Sequence, residues 1–77
     1  MLIETLTLTE PVKRQVVRLL NQIEQANSMI QAVKSGARAD GFVLGLEAAA
    51  ALDHSGIDSL HLFFETALEA RLKALAQ

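Results

Sequence analysis

VKRQVVRLLNQIEQANSMIQAV, residues 12–33, carries apolar side chains at Val12, Val16, Leu19, Ile23, Ala26, Ile30 and Val33, spaced 4, 3, 4, 3, 4 and 3 apart. That alternation is the seam of a coiled coil, and a helix bearing it needs another helix to cover it. Thr9, Glu10 and Pro11 precede the seam as a hydroxyl cap, a first-turn acid and a proline whose missing N–H costs little. Ser35 and Gly36 follow it as a C-terminal stop. The pattern predicts one long helix over residues 10–35, about 37 Å from end to end. Leu20 and Met29 widen its stripe, so more than one neighbour is expected to cover it.

Two shorter helices are expected to follow, over residues 38–54 and 56–76. In the first, Glu47 is the only charge between Gly41 and Leu52, which predicts burial nearly all round. Ala37, Gly41, Gly45 and Ala49 recur every fourth residue in the same region. Each glycine costs about 1 kcal/mol relative to alanine inside a helix, an expense that close helix packing would offset. In the last helix Leu60, Phe64, Leu68 and Leu72 form the apolar stripe, and Ser55 with Asp58 resembles a capping box. Residues 1–9 alternate threonine with leucine over Thr5–Thr9 and predict a short extended arm.

A chain of 77 residues forms a single domain with a modest core. Without cysteine it has neither disulfides nor thiolate metal sites to reinforce it, which leaves oligomerisation. With three Phe and neither Tyr nor Trp, its core must be aliphatic. The expected fold is therefore an all-α, three-helix hairpin-like bundle with a long first helix and an N-terminal arm, completed by self-association. A net charge of -2 disfavours generic nucleic-acid binding. The absence of a basic leader or a long apolar run predicts a cytoplasmic protein without a membrane span.

No cluster reads as a catalytic site, so the chain is expected not to be an enzyme and to carry no cofactor. Asp53, His54 and Ser55 contain the residue types of a hydrolase triad, but consecutive residues point in different directions. Asp58, His61 and Glu65 share one helical face as metal ligands can, yet the other helices offer no matching acidic motif. The strand-then-helix opening is similar to that of ribbon-helix-helix repressors, although residues 2–9 hold no Lys, Arg, Asn or Gln to read bases.

These observations predict a small protein–protein interaction module of adaptor, co-chaperone or inhibitor type. It is expected to self-associate as a homodimer or higher oligomer and to dock on another protein. Val16, Leu19, Ile23 and Ile30 are the expected self-association residues, with Gly45 and Ala49 permitting close approach. Leu62 and Phe63 form a candidate partner patch, and Lys13, Arg14 and Arg18 a candidate anion or phosphate contact. Two alternatives follow from the same residues: a dimeric DNA-binding regulator using the basic trio, and a small-ligand binder at a subunit interface.

Overall fold

In the computed structural model, which describes residues 8–77, the helix expected over residues 10–35 is two helices: α1, Glu10–Glu24, and α2, Met29–Ala48. Ser28 makes the break. Its backbone is extended, with φ -147° and ψ 162°, and its side chain accepts a hydrogen bond from the Gln31 backbone N–H at 3.1 Å. The Gln31 side chain reaches back and accepts from the backbone N–H of Asn27 at 2.8 Å. One donor that the helix N-terminus leaves open and the N–H just ahead of the cap are thus satisfied by side chains, a variant of the capping box contributing about 1 kcal/mol. Folding back at this point gives the seam of α1 a cover from its own chain.

α2 stops in a C-terminal motif built without glycine. The N–H of Ala51 donates to Leu46 O at 2.9 Å and that of Ala50 to Glu47 O at 3.0 Å, the paired bonds of a Schellman turn. Ala50 occupies the left-handed position with φ 52°. The third helix, α3, spans His54–Leu75. Its N-cap is Asp53, whose side chain accepts from Gly56 N at 2.8 Å, so the expected Ser55–Asp58 box is replaced by a cap two residues earlier. At the start of α1, Thr9 holds the N-cap position through its carbonyl, which accepts from Lys13 N at 2.9 Å, and not through its hydroxyl.

The three helices pack around one core. α1 contributes Val16, Leu19 and Ile23, α2 contributes Ala39, Val43 and Leu46, and α3 contributes Ile57, Leu60 and Phe64. Leu8, Val12 and Leu20 pack at its margin. The small residues of α2, Ala32 and Ala39 among them, bring its backbone close to the other helices. Gly36 shows how close: a Cβ built there would stand 2.7 Å from Leu68 Cδ2 on α3. The residue expected to end a helix is instead a contact point in the middle of one. The arm expected over residues 1–9 falls, up to residue 7, outside the described residues.

Arg71, one turn beyond Leu68 on α3, ties that helix to the segment that follows α1. Its Nε and Nη2 donate to the carbonyl oxygen of Ala26, at 2.8 and 2.6 Å. α1 has no basic residue in its own last turn, and the guanidinium from α3 instead holds the Ala26 carbonyl, two residues past the helix end.

Candidate interaction surface

α2 presents apolar side chains on two opposite sides. Its inner face, Ala32, Ser35, Ala39, Val43 and Leu46, is buried. At about 100° per residue, Ile30, Val33, Ala37, Gly41, Leu44 and Ala48 fall together on the opposite side. The helix that was expected to be buried all round is open along this stripe: Ile30 is 70% exposed, Val33 54% and Leu44 50%. A Cβ added at Gly41 or Gly45 would meet nothing within 4 Å. Single exposed apolar residues are ordinary on protein surfaces, whereas six in register on a helix about 30 Å long form a continuous strip.

Charges border the strip unequally. Lys34 and Arg38 lie roughly 55–95° to one side of its midline and Asp40 and Glu47 roughly 65–85° to the other. One flank is basic and the other acidic. Asp40 also meets α3, where its Oδ1 lies 3.2 Å from His61 Nδ1. A groove between the two helices runs beside this pair, floored by Val33, Ala37, Phe64 and Leu68.

The expected self-association residues divide. Val16, Leu19 and Ile23 are buried inside a single chain, where α2 and α3 already cover them, and so are core residues and not a surface awaiting a second molecule. Ile30, Gly45 and Ala49 are exposed. Leu62 and Phe63 also part company: Leu62 is open to solvent, but Phe63 packs on the core and meets Phe64 edge-to-face, with ring centroids 5.6 Å apart. Leu62 has Asp58 and Glu65 as helical neighbours and forms no patch with Phe63.

Lys13, Arg14 and Arg18 share one side of α1 with Asn21 and Gln22, along a shallow concavity. Among the described residues none of the three basic side chains has an acidic partner within salt-bridge distance, and Gln22 Oε1 is buried without a hydrogen bond. The face expected to gather Asp58, His61 and Glu65 sends His61 across to Asp40 instead. Among the described residues no three His, Asp or Glu groups converge as metal ligands, and no helix is long and apolar enough to cross a membrane.

Leu44 is the surface residue that sequence reading missed. The signal was present in the spacing of Ile30, Val33, Ala37, Gly41, Leu44 and Ala48, but it emerges only once the helix is known to begin at Met29. Comparison with known proteins adds nothing to this geometry, as no protein-family model, curated protein or solved structure matches the chain.

Proposed function

We propose that this protein is a non-enzymatic protein–protein interaction module that works as a helical homo-oligomer. The observation that carries this reading is the outer face of α2, where Ile30, Val33 and Leu44 stand uncovered in one stripe although the three-helix core is complete without them. Apolar strips of this kind, bordered by charge, are a common form of helix-to-helix interface. An adaptor, co-chaperone or inhibitor role agrees with the size and architecture of the chain, by analogy alone.

Sedimentation velocity on the wild type and on V33E/L44E tests the reading. Wild type is expected to sediment as an oligomer of the 8.3 kDa chain at tens of micromolar, and the double variant as a monomer with unchanged helicity. A wild type that remains an 8.3 kDa monomer overturns it.

A second reading rests on the basic trio. Lys13, Arg14 and Arg18, unpaired among the described residues, suit contact with a phosphate-bearing partner, as a dimeric DNA-binding regulator would make. An anisotropy titration over a salt series decides it: steep loss of DNA affinity with salt supports phosphate contact, and no binding at low salt removes it.

A further inference from the structure

The two unlike flanks of α2 carry information about how two copies would meet. A strip on a single helix can face its own copy about a two-fold axis that runs either across the helices or along them. An axis across the helices makes them antiparallel and sets like flank against like flank. Wherever they cross, Lys34 and Arg38 then face the basic flank of the second copy, and Asp40 and Glu47 face its acidic flank. An axis along the helices makes them parallel and sets each basic flank against an acidic one. Arg38 of one copy and Asp40 of the other then stand about 3 Å apart in height, on facing flanks.

Opposite charges beside an apolar seam select partner orientation in helix pairs, and like charges there oppose it. From this asymmetry we infer that two copies of the chain pair in parallel through the outer face of α2, with Arg38 of each beside Asp40 of the other. The inference rests on the self-association reading above and adds to it the direction and the register. The rest of the fold permits the arrangement. The inner face of α2 holds the core with α1 and α3, and α3 also borders the acidic side of the strip, where Asp40 meets His61 and Glu65 lines the same groove, so the basic flank of the second copy would meet α3 as well as Asp40. In the middle of the strip Gly41, and on its basic flank Gly45, have open space where a side chain would stand, which leaves room for the backbones to approach around Leu44.

The absence of cysteine from the chain gives a clean test. Val33 and Ala48 lie toward opposite ends of the strip and are exposed, so V33C and A48C leave the core untouched. In the parallel pair each position faces itself, and both single variants are expected to form disulfide-linked homodimers under mild oxidation. In an antiparallel pair at most one of them can, while a crossing near the middle of the strip links V33C to A48C only when the two are mixed. Dimerisation by sedimentation with both self-linked products supports the inference. A dimer in which either variant fails to self-link overturns the arrangement and leaves self-association standing. A wild type that is monomeric by sedimentation overturns both. As a second measurement, R38E is expected to weaken the dimer roughly tenfold at low salt and R38D/D40R to restore it; an R38E dimer of unchanged affinity contradicts the pairing.

Discussion

Arg71 holds the carbonyl oxygen of Ala26 with two of its nitrogens, at 2.8 and 2.6 Å, across 45 residues of chain. The contact fastens the turn between α1 and α2 to α3, so a single side chain joins all three helices.

R71M keeps much of the stem's packing and removes both hydrogen bonds. It is expected to lower stability by about 1.5–3 kcal/mol, the range for a hydrogen bond to a charged donor. Urea unfolding followed by circular dichroism measures this, and a change below about 0.5 kcal/mol would show that water replaces the guanidinium at no cost.

Core and outer-face substitutions are expected to separate cleanly. Ile23 is completely buried, so I23A should cost about 2–5 kcal/mol and I23D should unfold the chain instead of merely dissociating it. L44E, on the outer face, should change monomer stability by less than about 0.5 kcal/mol. Thermal melts at low concentration, where any oligomer has dissociated, compare the two positions directly.

The glycines of α2 should respond differently to alanine. At Gly41 and Gly45 the added methyl meets nothing within 4 Å, so each substitution should stabilise the monomer by about 0.8–1 kcal/mol through helix propensity. At Gly36 the methyl would come 2.7 Å from Leu68 Cδ2, and the gain is offset by displacement of that side chain. Chemical denaturation of the three single variants checks the ordering; G36A more stable than G41A would contradict the close contact.

Ala50 marks a position where nature's residue is strained. Its φ of 52° suits glycine, and A50G is expected to raise stability by about 0.5–1 kcal/mol after the greater freedom of the unfolded glycine is counted. A lower melting temperature for A50G would show that the turn relaxes to another conformation.

Much of the architecture was legible in the residues. The all-helical class, three helices, the start of α1 at Glu10 and the apolar stripe of α3 through Leu60, Phe64 and Leu68 follow from periodicity and capping chemistry. The long first helix did not survive, because a seam that continues through Ala26, Ile30 and Val33 looks unbroken while Ser28 and Gln31 spell a helix start inside it. Local hydrogen bonding won over periodicity there, and tertiary cover won with it, since the fold-back lets α2 and α3 bury Val16, Leu19 and Ile23. That error moved the candidate surface as well. Ile30 stayed in it, Gly45 and Ala49 are exposed beside it, the three α1 residues became core, and Leu44 came into view only with the corrected helix phase. Gly36 and Arg71 act on partners distant in the chain, Leu68 and Ala26, which no local pattern can reveal.

Because the inner and outer faces of α2 share a backbone and no side chains, substitutions can accumulate on one without disturbing the other. A lineage could exchange what this helix grips while keeping the domain folded, or shore up a weakened interior without altering its choice of companion. The same independence makes α2 a scaffold on which new recognition surfaces could be written at positions 30, 33, 37, 41, 44 and 48.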